Sequence, residues 1–383
     1  MPTIHVLLAG GGTAGHVEPA LATADALVEL GEQLGVNVEI TMLGTASGLE
    51  TRLVPARGFR LETIPRVPLP RRPSADLLTV PMRLRGAVRA ADAVMVNRSI
   101  DVVVGFGGYV ALPAYFAARR RHLPMVVHEA NVRAGVANRI GARMTALVAT
   151  GLPGTRLPHA RLVGMPLRRA IATVNRAALK QEALASFGLD QRPVLLVFGG
   201  SQGASRINAA VLDAQAQVAS VGGQILLATG EAGADLARTQ ADQTITTVVD
   251  YIDRMDLAYA AADLAVARAG AMTCAELAAV GLGAVLVPLP IGNGEQRLNA
   301  EPLVTAGAAV IIDDSDFTGP SVVDRVVPIL ADPSRLAAMD AAALRLGRRD
   351  ADRVLARMVL GAVLPGVAGS NASGADPTGG SDT

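Results

Sequence analysis

The sequence predicts an α/β fold with two Rossmann-like, doubly wound parallel-sheet domains. The chain of 383 residues is too long for one core of ordinary size and fits two domains. Short apolar runs alternate with alanine-rich segments of helical period, a pattern typical of parallel strands covered by helices on both faces. A similar strand, glycine loop and helix start occur twice, at 5–16 (HVLLAGGGTAGH) and 193–204 (PVLLVFGGSQGA).

The strands are predicted from buried apolar runs that end in polar or glycine-rich turns. In the first half they lie at 3–9, 38–44, 101–108 and 125–131. In the second half they lie at 193–198, 224–230, 246–252, 263–270 and 283–290. A helical segment at about 334–361 could pack on either domain.

The boundary between the domains is predicted near the proline- and glycine-rich stretch 152–171. We therefore expect one domain over 1–168 and a second over 169–363. Residues 364–383 have almost nothing to bury and predict a disordered tail.

The composition of the chain disfavours several classes of protein. A net charge of +1 gives no field that would attract nucleic acid, so no nucleic-acid partner is expected. The single cysteine, Cys274, excludes an internal disulfide and suits a reducing compartment. No secretory signal is recognisable, and no apolar run approaches the roughly 18 to 20 residues that span a bilayer. The sequence therefore predicts a soluble protein.

The first glycine loop, 10–15, matches the dinucleotide-binding pattern G-x-G-x-x-G after a strand. That pattern also needs an acidic residue near the end of the second strand, which here ends Leu43-Gly44-Thr45. A nicotinamide or flavin cofactor is therefore disfavoured. His16 follows the loop at a strand's carboxyl end, where a titrating residue suits an active site. The alternative is a helix-start histidine with only local hydrogen bonds.

The second half offers an anion site and a ribose site. Glycines at 199–203 allow close backbone approach and precede a helix start, which favours a phosphate, although a purely structural turn is the alternative. A second helix is predicted to begin at about Ala271. Its spacing puts Glu276 on the face of Met272 and Thr273, where a carboxylate can accept both hydroxyls of a ribose. Alternatively, Glu276 is a capping or solvated residue.

Two further sequence patterns could indicate a metal site. His128 and Glu129 lie at a strand end, but no second histidine follows at ligand spacing, so zinc is not expected. The D-x-D triplets at 314–316 and 350–352 follow no glycine-rich turn at a strand end, which disfavours a metal–diphosphate role. Neither a metal nor a cofactor is therefore expected.

An ordered set of motifs resembles the MurG family. The set comprises GGGTAGHVEPALA, GFGGYVALPAYFAA, HEANVRAGVANR, GGSQGASRIN, YIDRMDLAYAAADLAVARAGAMTCAELAAVGL and EQRLNAEPL, and it extends over about 4–315. The resemblance implies a GT-B fold, with two Rossmann-like domains facing a cleft. It implies inverting, metal-independent transfer of N-acetylglucosamine from UDP-N-acetylglucosamine to lipid-linked N-acetylmuramoyl pentapeptide, at the cytoplasmic face of the membrane, in peptidoglycan synthesis.

The resemblance also implies site residues. His16 is the candidate base, and Glu129 is the reserve candidate. Contacts to UDP-N-acetylglucosamine are implied for Thr13, Ala14, Gly15, Asn131, Arg168, Ser201, Ile252, Ala271, Met272, Thr273, Glu276, Gln296 and Asn299.

The stretch 64–90 predicts a contact with an anionic membrane surface, because arginines alternate there with apolar residues. The predicted contact residues are Arg71, Arg72, Leu77, Leu78, Met82, Arg83 and Arg85. The alternative is a solvated basic loop followed by an ordinary amphipathic core helix.

Other function classes stay open at this point. A UDP-sugar epimerase or another GT-B glycosyltransferase would keep the donor half but would not need a lipid-facing surface. A non-catalytic nucleotide-binding module would need no base at His16.

Overall fold

Two parallel sheets make up the protein. A computed structural model describes residues 1–67, 79–200, 203–230, 233–290 and 294–364. The first sheet contains β1 (Thr3–Gly10), β2 (Asn37–Gly44), β3 (Arg60–Thr63), β4 (Val102–Gly107), β5 (Met125–Glu129), β6 (Val148–Thr150) and β7 (Ala160–Leu162). The second contains β8 (Val194–Phe198), β9 (Gln224–Ala228), β10 (Thr246–Val249), β11 (Leu264–Ala267), β12 (Ala284–Leu286) and β13 (Ala309–Ile311).

Helices cover both faces of each sheet. Those of the first half are α1 (Ala14–Leu34), α2 (Glu50–Ala56), α3 (Val80–Asn97), α4 (Gly108–Arg120) and α5 (Val136–Gly141). The connection and second half add α6 (Arg169–Ala172), α7 (Arg176–Phe187), α8 (Ser205–Asp213), α9 (Gln215–Ser220), α10 (Ala234–Gln240) and α11 (Met255–Ala261). The remainder are α12 (Ala271–Val280), α13 (Glu295–Thr305), α14 (Gly319–Arg325), α15 (Val327–Leu330), α16 (Pro333–Leu346) and α17 (Ala351–Gly361).

Both sheets have the doubly wound strand order. The first runs β3-β2-β1-β4-β5-β6-β7, and the second runs β10-β9-β8-β11-β12-β13, with every pair parallel. Central strands such as β8 (VLLVF) are buried along their whole length, because helices cover both faces. The predicted fold class is therefore confirmed, with the repeated glycine loops following β1 and β8.

The strand order fixes where ligands bind. In each sheet the winding direction reverses between two central strands, β1 and β4 in the first and β8 and β11 in the second. A crevice opens at such a switch point outside the carboxyl ends of the strands. The first crevice is bordered by the loops after β1 and β4, and the second by the loops after β8 and β11.

The last helices divide between the two halves. The segment predicted as helical at 334–361 forms α16 and α17, separated by a break at 347–350. α16 packs on α12 of the second half, whereas α17 crosses back to α1. The apolar face of α17, including Leu355 and Val359, is buried in the same core as β1 and α1. All but the first residue of the predicted tail, 364–383, lies outside the described residues.

Candidate functional site

His16 lies at the first switch point, in the opening turn of α1. Its Nδ1 is 3.1 Å from the hydroxyl of Thr13, the residue that precedes the helix, and the ring also hydrogen-bonds to the Gly11 backbone. Ala14 and Gly15 complete this turn. The side chain is partly buried, and burial lowers the pKa of His16 below its usual 6.5. A neutral imidazole is therefore present at neutral pH.

The turn between β4 and α4 packs closely against this imidazole. A Cβ at Gly107 would lie 3.0 Å from Nε2 of His16, and a Cβ at Gly108 would lie 2.5 Å from the Gly11 carbonyl oxygen. Both glycines have positive φ, +99° and +76°. Only glycine fits these two requirements together, which explains the GG of the GFGGY motif.

Glu50, the first residue of α2, is a feature of this crevice that the sequence analysis missed. It is 0% exposed, and its carboxylate accepts hydrogen bonds from the Gly12 N–H (2.9 Å) and the Thr45 N–H (2.8 Å). The Thr45 hydroxyl donates a further bond at 2.9 Å. Burial opposes ionisation, but these hydrogen bonds outweigh it and lower the pKa of Glu50. The sequence signal that could have identified Glu50 is that it is the single acid in the stretch GTASGLETRLV after β2.

Glu129, the reserve candidate for the base, is buried at the end of β5. Its oxygens accept from the backbone N–H groups of Asn131 (2.9 Å) and Gly135 (3.0 Å) and from Nδ2 of Asn138 (3.0 Å). Burial raises the pKa of Glu129. Because these donors already surround the carboxylate, its evident task is to hold the loop from β5 to α5.

Asn131 and Asn299 meet across the two halves of the protein. Nδ2 of Asn299, on α13, donates to Oδ1 of Asn131 at 3.1 Å, and Oδ1 of Asn299 accepts from the Val132 N–H at 3.0 Å. Asn299 is 1% exposed and Asn131 is half-buried, so this contact is partly enclosed. Gln296, one turn earlier on α13, accepts from the Leu289 N–H through Oε1 at 2.9 Å. Asn131 and Asn299 therefore lie together where the two halves touch, and Gln296 lies one turn away on α13.

A chain of charged groups also links the halves. Arg168, immediately before α6, pairs with Glu18 of α1 (3.9 Å) and with Glu276 of α12 (3.7 Å). The hydroxyl of Tyr259, on α11, donates to Oε2 of Glu276 at 2.8 Å. Burial raises the pKa of Glu276, and Arg168 and Tyr259 act in the opposite direction. Tyr259 and Glu18 were not identified from the sequence, since neither has a local motif.

The second switch point holds the start of α12. The helix begins at Ala271 with Gly270 as its preceding residue, and Met272 and Thr273 complete the first turn. The first backbone N–H groups of a helix have no acceptor inside that helix and carry its positive dipole end. Ile252 is buried in the loop after β10. Ser201, predicted at the diphosphate, lies outside the described residues.

Aspartates of the D-x-D triplets form ion pairs or lie at the start of a helix. Asp314 forms ion pairs with Arg268 at 2.6 Å and with Arg206 at 3.1 Å. Asp350 precedes α17, and Asp352 lies in its first turn. Across the ranges that the structure describes, no group of three or more His, Cys, Asp or Glu side chains is arranged to hold a metal.

α3 carries the described part of the predicted membrane contact. Met82, Arg83 and Arg85 are exposed in its first two turns, and Met82 is 76% exposed. The opposite face buries Ala87, Ala91 and Met95 against the core. A groove beside α4 is lined by Pro81, Leu84, Arg85, Val88, Arg89, Phe116 and Arg120. Arg71, Arg72, Leu77 and Leu78 lie outside the described residues.

Within the described ranges, every helix is too short or too polar to span a bilayer.

Comparison with known proteins identifies the family. Residues 6–150 match the glycosyltransferase family 28 N-terminal domain, and 194–355 match the family's C-terminal domain. Two bacterial proteins named UDP-N-acetylglucosamine–N-acetylmuramyl-(pentapeptide) pyrophosphoryl-undecaprenol N-acetylglucosamine transferase are similar over nearly their full length. The Streptomyces avermitilis protein is 55% identical, covering 94% of this chain and 99% of its own. The Mycolicibacterium smegmatis protein is also 55% identical, covering 93% and 94%.

Solved structures agree. MurG from Acinetobacter baumannii superposes with a TM-score of 0.75 at 28% identity, covering 94% of this chain and 99% of its own. A UDP-GlcNAc 2-epimerase from Neisseria meningitidis has a TM-score of 0.66 over 94% and 100% of the two chains, at 11% identity, which shows a shared fold alone. With both domain models matched and relatives at 55% identity, the chain belongs to glycosyltransferase family 28 and, within it, to the MurG family.

Proposed function

We propose that this protein transfers N-acetylglucosamine from UDP-N-acetylglucosamine to a lipid-linked N-acetylmuramoyl pentapeptide. Contacts that join the two halves beside their switch points support the proposal. Asn131 and Asn299 join their rims, and Arg168 connects Glu18 with Glu276. A neutral imidazole therefore lies on one side of the cleft, and a carboxylate and a helix start lie on the other.

The donor belongs in the second half. Glu276 accepts the ribose hydroxyls. It lies on the inner face of α12, where the Tyr259 hydroxyl holds one of its oxygens. The N–H groups at Ala271, Met272 and Thr273 face the diphosphate, because the start of a helix favours an anion. Ile252 lies next to the uracil, and Gln296 and Asn299 next to the sugar.

The acceptor hydroxyl approaches from the first half. As its oxygen forms a bond to C1 of the sugar, the bond from C1 to the UDP phosphate oxygen breaks, and the configuration at C1 inverts. The hydroxyl proton passes to His16, which is neutral at the working pH. Glu129 is the less suitable base, because loop donors occupy its oxygens.

The departing UDP is stabilised without a metal ion in this proposal. Backbone N–H groups and the dipole of α12 meet the negative charge that develops on the diphosphate. Asp314, of the first D-x-D triplet, is already paired with Arg268 and Arg206.

The lipid-linked acceptor requires a membrane contact, which we assign to α3 on the cytoplasmic face of the membrane. Arginine heads would bind anionic headgroups while Met82 and the apolar groove beside α4 contact acyl chains. No nucleic acid takes part.

The test is a transfer assay in EDTA. Purified protein is incubated with labelled UDP-N-acetylglucosamine and the lipid-linked acceptor. We expect label in the lipid fraction through a β linkage, at a rate that EDTA leaves unchanged. Label that remains in the nucleotide sugar as a 2-epimer would instead identify an epimerase, and label recovered only as intact donor would identify a binding module. If EDTA abolishes transfer and Mg²⁺ restores it, metal independence is wrong, but the proposed transfer itself stands.

A further inference from the structure

The carboxylate of Glu50 accepts a hydrogen bond from the first glycine loop, at the Gly12 N–H. It lies among glycines, since a Cβ at Gly48 would be 2.0 Å from Oε2 and a Cβ at Gly11 would be 2.7 Å from Oε1. A Cβ at Gly44 would meet its Cγ at 2.4 Å. A side chain at any of these three positions would therefore displace the carboxylate.

The hydrogen bonds of Glu50 join the start of α2 to two other segments of the chain. Oε2 accepts from Gly12 in the loop between β1 and α1, and Oε1 accepts from the backbone and hydroxyl of Thr45 after β2. All three donors are uncharged. A buried carboxylate is costly unless hydrogen bonds satisfy its oxygens, as these three donors do. Because all three groups donate, an acceptor-only carboxylate fits this position, whereas a neutral amide, which must also donate, does not.

The loop that Glu50 holds is the one that shapes the surroundings of His16. The Gly11 backbone hydrogen-bonds to the imidazole, and Gly12, the next residue, is bound to Glu50 with φ at +90°. We propose that Glu50 is a positioning residue for His16, fixing the loop around the imidazole and balancing the positive charge that the ring gains with the acceptor proton. This inference rests on the proposed role of His16 as base.

Electrostatics around His16 supports this assignment. Burial lowers the pKa of His16, and the negative charge of Glu50 acts in the opposite direction. Three other titratable groups on the described neighbouring elements have partners of their own. Glu18 on α1 pairs with Arg168, Tyr109 at the start of α4 lies under Arg66, and Glu129 is enclosed by loop donors.

The proposal predicts a distinctive behaviour for Glu50→Gln, which keeps the volume but removes the charge. The amide must present an N–H₂ to the N–H of Gly12 or of Thr45, so one hydrogen bond is lost. We expect kcat to fall about 10²-fold, as for a misplaced catalytic group, while the Kd of UDP changes less than about twofold. Without the negative charge the pKa of His16 falls, so the acid limb of the kcat profile moves to lower pH.

The decisive readout does not need turnover. The imidazole of His16 is titrated by NMR in histidine-labelled wild type, in Glu50→Gln, and in Thr45→Val, which keeps the charge and loses one donor. We expect His16 to titrate at lower pH in Glu50→Gln and at the wild-type pH in Thr45→Val. An unchanged titration in Glu50→Gln would show that Glu50 only fills space. A failure of His16 as base would appear separately, as near-normal turnover of His16→Ala.

A second measurement covers the case in which Glu50→Gln does not fold. In the wild-type protein, the amide of Gly12 should exchange its hydrogen slowly, because Glu50 binds it in a partly exposed loop. Exchange at the rate of an unstructured amide would overturn the proposal.

Discussion

At the scale of single residues, burial acts on both candidate side chains: it favours the neutral imidazole of His16, whereas at Glu276 it favours the neutral acid and Arg168 opposes it. His16 is held neutral at the first switch point, and Glu276 is kept close to a cation, Arg168, at the second. Sequence reasoning identified both, because each follows a strand end in a recognisable motif. It missed Glu50 and Tyr259, since their hydrogen bonds join segments far apart in the chain.

His16 gives the first prediction at this scale. His16→Ala should lower kcat by roughly 10²- to 10⁴-fold, because the acceptor proton loses its base. The Kd of UDP should stay near the wild-type value, since the nucleotide is held by the other half. Transfer kinetics and calorimetry measure the two quantities. His122→Asn, at an exposed position with φ of 56°, is the control and should have wild-type activity. Near-normal turnover of His16→Ala would move the role of base elsewhere.

His128 gives a prediction about stability. It is fully buried, its Nε2 is 3.0 Å from the Gly164 carbonyl oxygen, and burial lowers the pKa of His128 to about 4. Between pH 6.5 and 4 the unfolded chain therefore binds a proton that the folded chain does not. The free energy of unfolding should fall as pH drops through this window, by about 3 kcal/mol from this residue, and should be insensitive to it above pH 6.5.

Urea denaturation at a series of pH values measures this dependence. His128→Gln cannot titrate, so its unfolding free energy should lose less between pH 6.5 and 4 than that of wild type. Equal losses in both proteins would show that His128 does not contribute to the pH dependence.

At the scale of elements, the long apolar strands and the glycine loops were predictable, and the short edge elements were not. β6 and β7 have three residues each, and β3 (RLET) is only partly buried, so none has a periodic pattern of useful length. β5, β10 and β11 end two to three residues before their predicted ends, at Glu129, Val249 and Ala267, because the following residues form site loops.

The sequence left two interpretations of 64–90 open, a membrane contact and an amphipathic core helix, and α3 has a core-packed face as well as an exposed one. One face packs on the core, and the first two turns expose Met82, Arg83 and Arg85. Burial of one face therefore does not argue against a membrane contact by the other.

The prediction for α3 concerns vesicle binding. Arg83→Glu with Arg85→Glu should weaken binding to anionic vesicles by at least about thirtyfold, since each arginine contributes roughly 1 kcal/mol near such a surface. Transfer to a long-chain acceptor should slow, whereas transfer to a soluble short-chain acceptor should continue at the wild-type rate. The control is Arg335→Glu with Arg345→Glu on α16, two exposed arginines of the second half. If the α3 variant binds vesicles as well as this control does, α3 is not the membrane contact.

At the scale of the whole molecule, the site exists only because the two halves meet. The Asn131–Asn299 bond and the ion pairs of Arg168 cross the cleft, and α17 returns from the second half to pack on α1. None of these contacts has a local sequence signal, which is why the sequence predicted two facing domains but not how their rims join.

Arg168 gives the prediction at this scale. Its charge opposes the effect of burial on Glu276, so Arg168→Gln should raise the pKa of Glu276 further. Only the ionised carboxylate accepts both ribose hydroxyls, so the UDP affinity of the variant should begin to fall at a higher pH than that of wild type as the solution is acidified. Calorimetric titrations of UDP across pH measure this shift. Arg169→Gln, at an exposed neighbouring position paired with Glu29, should follow wild type. If the UDP affinity of Arg168→Gln has the same pH dependence as that of wild type, Arg168 does not act on the donor site.

The central claim is that the donor binds in the second half with its sugar turned toward His16, and a crystal structure of the complex with UDP-N-acetylglucosamine tests it most directly. The predicted result places the ribose hydroxyls at hydrogen-bonding distance, about 3 Å, from the Glu276 carboxylate. The diphosphate should face the start of α12, and His16 should lie on the side of C1 opposite the phosphate. A nucleotide bound instead at the first glycine loop, 10–15, or a sugar turned away from His16, would contradict the account.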